Sequence, residues 1–85
     1  MTTRERLEKY LQDNGMFLDQ AKSVMDLACS EIDNIVPGYT ITWDQPAENY
    51  PDKMYSLWIH KLQPIALKWI DENAPEAWFR DMFKE

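Results

Sequence analysis

Cysteine occurs once in this chain, at Cys29, so neither an internal disulfide framework nor a cysteine-based zinc cluster is available to it. Glycine occurs twice, at Gly15 and Gly38, too rarely for a Gly-rich loop that cradles phosphate. Histidine occurs once. In "LWIHKL", His60 has no Asp or Glu three or four positions away, so the segment offers neither a metal-binding pair nor a proton relay, and a surface or structural role is expected. The carboxylates do not follow the alternating spacing of a calcium loop around a central Gly. These absences leave no catalytic residue, no metal ligand and no cofactor to assign, and the chain is expected to be noncatalytic. No apolar run approaches the about 18 residues that would mark a membrane span. The opening "MTTRERLEKY" places charges where a secretory signal needs an apolar stretch, so a cytoplasmic location without membrane attachment is expected.

Positive charge is missing from one part of the chain altogether. The formal net charge is -6, yet residues 1–22 hold four acids against four bases and residues 53–85 hold five against five. The whole imbalance falls in residues 23–52, where Asp26, Glu31, Asp33, Asp44, Glu48 and Asp52 meet no Lys or Arg. A field of that sign disfavours a phosphate backbone and steers toward a basic protein surface. The six carboxylates, together with Trp43 between them, are therefore the candidate partner-binding residues. The expected function is that of a noncatalytic acidic regulatory or adaptor protein docking on a basic surface of a larger protein. Two alternatives stand beside it: an inhibitor presenting carboxylates to a nucleic-acid-binding protein, and a small structural subunit of an assembly. Direct nucleic-acid binding is not expected, since Lys61 and Lys68 beside Trp58 and Trp69 read as the solubilising rim of a buried helix. Self-association is left open.

What is present is enough apolar material to fold. With 45% hydrophobic and 28% charged residues, the composition lies far from that of disordered chains, and one compact domain over residues 1–85 is expected. Thr2 and Glu5 have capping-box spacing, and Leu7, Tyr10 and Leu11 continue a helix over about residues 3–13, closed by "DNG". Leu18, Ala21, Val24 or Met25, Ala28, Ile32 and Ile35 recur at three and four positions, a helix that ends at Pro37 and Gly38. Cys29 falls inside this pattern as a small buried hydrophobe.

"YTITW" changes period. Tyr39, Ile41 and Trp43 alternate with threonines, which predicts an extended or strand-like segment near 39–43, either laid over the helices, paired in a small hairpin, or offered as an edge. From Pro51 a helical pattern returns, with Met54, Leu57, Trp58, Leu62 and Ile65 on one side. Pro64 is expected to kink or split it, and the piece beyond carries Ile65, Trp69 and Ile70. A last short helix after Pro75 places Trp78, Phe79, Met82 and Phe83 in one stripe, expected mainly as a lid on the core and otherwise as an exposed binding surface. The fold class is thus a mainly α, small helical domain of about four helices with one extended segment.

Overall fold

A computed structural model describes residues 1–83. It contains three α-helices, α1 (Thr3–Asp13), α2 (Leu18–Ile35) and α3 (Asp52–Asn73), and three 3-10 segments, Tyr39–Asp44, Ala47–Asn49 and Trp78–Phe83. There is no named strand among the described residues, only an isolated bridge between Thr2 and Pro46. The chain is a small, mainly α domain.

α1 begins where the capping box predicts: the Thr2 hydroxyl accepts from Glu5 N, and the Glu5 carboxylate accepts from Thr2 N. Thr3, Leu7, Glu8 and Leu11 form its buried side. At its far end Gly15 takes φ 114°, a conformation open to glycine, and the chain turns sharply into α2. A Cβ at Gly15 would stand 2.6 Å from Phe79 Cβ and 3.0 Å from the Trp78 ring, so a side chain at this turn would collide with those of the C-terminal segment.

α2 buries Ala21, Val24, Met25, Ala28 and Ile32. The ends of the predicted stripe do not follow: Leu18 is half-exposed and Ile35 is 81% exposed. Phe17 is the N-cap residue, and its side chain provides no oxygen to the first turn, while Gln20 accepts a hydrogen bond from Phe17 N.

Residues 39–44, expected as extended or strand-like, form a 3-10 helix that packs against α1 and α2. Its period of three explains its burial: Thr40 and Trp43 turn inward, while Ile41 and Asp44 turn outward. Alternation had placed Ile41 on the same side as Trp43. The segment is held to α2 by Asp33, whose carboxylate accepts from Thr40 N at 2.9 Å and from the Thr40 hydroxyl at 2.7 Å.

α3 runs through Pro64 as one 22-residue helix and is not split. Proline removes the hydrogen bond to the His60 carbonyl, but His60 lies on the exposed side, where water can serve that group. Tyr55, Trp58, Leu62, Ala66 and Ile70 form a single buried stripe spanning both sides of the proline, and this packing holds the two halves in register. Leu57, expected inside, is exposed, and Tyr55 takes its place. The C-terminal stripe divides: Phe79 and Phe83 are buried, whereas Trp78 and Met82 face outward.

Trp58 is the hub of the core. The rings of Trp43, Tyr50 and Tyr55 meet it edge-on with centroids 6.2, 5.2 and 5.4 Å away, and its Nε1 donates to the Tyr39 hydroxyl at 3.0 Å. Replacing Trp58 by Ala should cost about 3–5 kcal/mol of stability, measured by urea unfolding, with loss of near-ultraviolet circular dichroism. Phe17→Ser should act in the opposite direction. It supplies the missing N-cap oxygen and removes an exposed ring, so thermal and urea unfolding should register a gain of roughly 0.5–1 kcal/mol.

Candidate partner-docking surface

Folding redistributes the charges that are segregated along the chain. Arg4 forms an ion pair with Asp26 and also lies 3.5 Å from Glu8, Arg6 pairs with Asp52 at 3.1 Å, and Lys68 pairs with Glu31 at 2.7 Å. Three bases from the balanced ends thus meet three acids of the middle. Arg80 pairs with Asp71 at 2.6 Å, so every arginine of the chain is engaged by one of its own carboxylates. Arg6 also lies over the Tyr55 ring, 3.7 Å from its centroid. These pairs are exposed to varying degrees, and each adds little to stability. Their effect is on the outward field: the groups best shaped to grip phosphate are already occupied.

Of the predicted partner-binding residues, Asp26, Glu31 and Asp52 are therefore ion-paired within the chain. Asp33 is committed to Thr40. Its pKa is held below the ordinary carboxylate value, first by the Thr40 backbone N–H and then by the Thr40 hydroxyl. Trp43 is a correction: it is fully buried, with its ring against Trp58, and belongs to the core rather than to a contact surface. Its indole Nε1 has no hydrogen-bond partner among the described residues. Asp44 and Glu48 remain, both exposed and without a hydrogen-bond or ion-pair partner among the described residues.

Asp44 does not stand alone. In a 3-10 helix, residues three apart are nearly eclipsed, so Ile41 and Asp44 share the outward face. Ile41 is 64% exposed, Val36 is half-exposed, and Ile35 completes an apolar corner at the C-terminal end of α2. Gly38, at φ 77°, turns the chain between them, with its Cβ position 3.5 Å from Ile41 Cδ1. The signal that would have found this corner is the same "IVPGYTI" that was read as a helix stop followed by a strand.

Cys29 is half-buried against the core, and burial is the main influence pushing its thiol pKa up, which keeps it in the less reactive thiol form. His60 is exposed. Among the described residues no group of three His, Cys, Asp or Glu side chains is placed to hold a metal ion. No described helix is long and apolar enough to cross a membrane. No protein-family model, curated protein or solved structure matches this chain.

The Asp33–Thr40 link has a definite pH signature. Because the folded pKa of Asp33 is depressed, its stabilising contribution is present above the unfolded value of about 3.9 and is lost as pH falls toward and through the folded value. Asp33→Asn should therefore lower the melting temperature near neutral pH. Below about pH 4 it should converge with the parent protein, giving a shallower acid limb in thermal melts.

Proposed function

We propose that this is a noncatalytic docking protein of the regulatory or adaptor type, which presents an acidic, partly apolar corner to a basic surface of a larger protein. The observation that carries this reading is the shared outward face of Ile41 and Asp44 beside exposed Ile35 and Val36. An apolar contact supplies affinity on release of water, and an adjoining carboxylate supplies orientation and encounter rate. Glu48, on the following 3-10 segment, extends the carboxylate set. The net charge of -6 steers basic partners toward the molecule from a distance of about a Debye length, about 8 Å at physiological salt.

The engagement of Arg4, Arg6 and Arg80 by internal carboxylates supports the absence of nucleic-acid binding from the proposal. A protein that binds a polyanion needs several free cations able to release its counterions, and here the remaining exposed bases are scattered lysines.

Capture of cellular proteins on the immobilised chain, followed by elution with increasing salt and direct titration of each purified partner, tests the reading. Basic proteins released by salt are the expected catch. Asp44→Lys combined with Glu48→Lys should slow association and flatten its salt dependence, and Ile41→Ser should weaken equilibrium binding by about tenfold. Partners held independently of salt, or bound equally well by all of these variants, would overturn it.

A further inference from the structure

Residues 53–70 are the counterpart of the acidic middle of the chain: they hold Lys53, Lys61 and Lys68 and no Asp or Glu. Lys68 is engaged by Glu31. Lys53 and Lys61 stand on the outward face of α3, about 12 Å apart at 1.5 Å rise per residue, with Leu57 midway between them at the four-residue spacing of one helix side. All three are exposed, Leu57 by 53%, and neither lysine has a carboxylate partner among the described residues. The acids that bound this stretch are already engaged, Asp52 by Arg6 and Asp71 by Arg80. We propose that the Ile41–Asp44 corner of one copy docks on this face of a second copy, so that the free protein covers its own corner by dimerising.

The proposal rests on the corner as the proposed function reads it, and it names the surface that competes for that corner. Such a corner calls for a basic surface with an apolar centre. Lys53, Leu57 and Lys61 supply one within the chain itself. After internal pairing, the central acids left outward are Asp44 and Glu48, and the free bases of α3 are Lys53 and Lys61. Each patch therefore carries the charge that the other lacks. Ile41 beside Asp44 meets Leu57 between the lysines, and water leaves both apolar surfaces.

The two patches adjoin. Lys68 reaches Glu31 of α2 at 2.7 Å, and the Lys61 ammonium lies over the Tyr39 ring, 5.5 Å from its centroid, so the end of α2 and the segment after it run beside residues 61–68 of α3. Ile35, 81% exposed, lies between those two ties in the chain, and Pro64, also exposed, lies between them on α3. Lys61 thus neighbours the segment that carries Ile41 and Asp44, yet it rests on Tyr39. Within one copy the patches stand side by side with no ion pair between them among the described residues. A two-fold axis sets each against its complement on the other copy, and both contacts form at once. Between molecules of charge -6 the long-range force is repulsive, but it is screened beyond about 8 Å, so the local pairs and the apolar contact carry the association. For a contact of this size a dissociation constant between about 10 µM and 1 mM is expected.

Sedimentation velocity of the full chain across that range, about 10 µM to 1 mM, tests the proposal. A reversible monomer–dimer equilibrium is expected. Asp44→Lys with Glu48→Lys should weaken it by about tenfold or more, although this variant carries less net negative charge and overall repulsion alone would make it associate better. Lys53→Glu with Lys61→Glu should weaken it likewise, and an equimolar mixture of the two variants, in which both patches are reversed in sign, should recover association to within about threefold of the parent. Leu57→Ser, at a position already exposed, should weaken it by about tenfold with the melting temperature unchanged. A monomer at every concentration overturns the self-docking and leaves a foreign surface as the occupant of the corner. Association that survives the reversals, or a mixture that recovers nothing, overturns it as well. The two readings fail separately: partner capture unchanged by Asp44→Lys with Glu48→Lys sinks the proposed function whatever sedimentation shows, whereas absence of a dimer sinks only the self-docking.

Discussion

The indole of Trp58 is the contact on which the architecture turns. The 16 residues between α2 and α3 contain no α-helix, and a connection of that length is held in place only by tertiary contact. Tyr39, Trp43 and Tyr50, all from that connection, converge on Trp58, three through ring edges or a hydrogen bond to a single side chain on α3. Asp33 secures the same stretch from α2 through Thr40. The outward pose of Ile41 and Asp44 therefore follows from what Thr40 and Trp43 do on the inside. The proposed docking corner is rigid to the extent that Trp58 is well packed.

The charge arrangement has a comparable logic. Arg4, Arg6 and Lys68 each reach an acid far away in the chain, so the ion pairs stitch α1 to α2, α1 to the start of α3, and α3 to α2. Individually such exposed pairs contribute little to stability. Collectively they engage Asp26, Glu31 and Asp52, and with Asp33 committed to Thr40 the central carboxylates left outward are Asp44 and Glu48. What a partner meets is the remainder after internal pairing.

The elements with local signals were legible in the sequence. The Thr2–Glu5 capping box and the Pro37–Gly38 stop bracket α1 and α2 because each acts within a turn or two. The Tyr39–Asp44 segment departs from its strand-like expectation because six residues sample a period of two and a period of three too few times to separate them. Only burial, with Thr40 in and Ile41 out, decides between them. Pro64 was assigned a local break that packing on both sides of it overrides. At the C-terminus, four apolar residues in six looked like one stripe, and whether Trp78 or Phe79 faces inward depends on the position of Gly15, more than 60 residues earlier. The candidate carboxylates were legible as a set, but their pairing was not, since their bases come from 22 to 46 residues away.

The first residues of α1 are tied to the middle of the chain. Ala47 N donates to the Met1 carbonyl at 2.9 Å and Thr3 N to the Gln45 carbonyl at 2.9 Å, with the Thr3 hydroxyl reaching the same carbonyl at 3.1 Å. The Gln45 carbonyl, accepting from the first turn of α1, and the Ala47 N–H, donating to Met1, thus close a loop that encloses α1, α2 and the first 3-10 segment. Closing a loop of that length carries an entropic cost that grows only slowly with its size, but it must be met before the contact returns anything. During synthesis α1 has its own capping box from the moment it emerges, yet the clamp on its first turn waits until residue 47 has been made. The order in which the chain appears and the order in which it locks are different: the first helix to be built is secured only after the second helix and the first 3-10 segment have followed it.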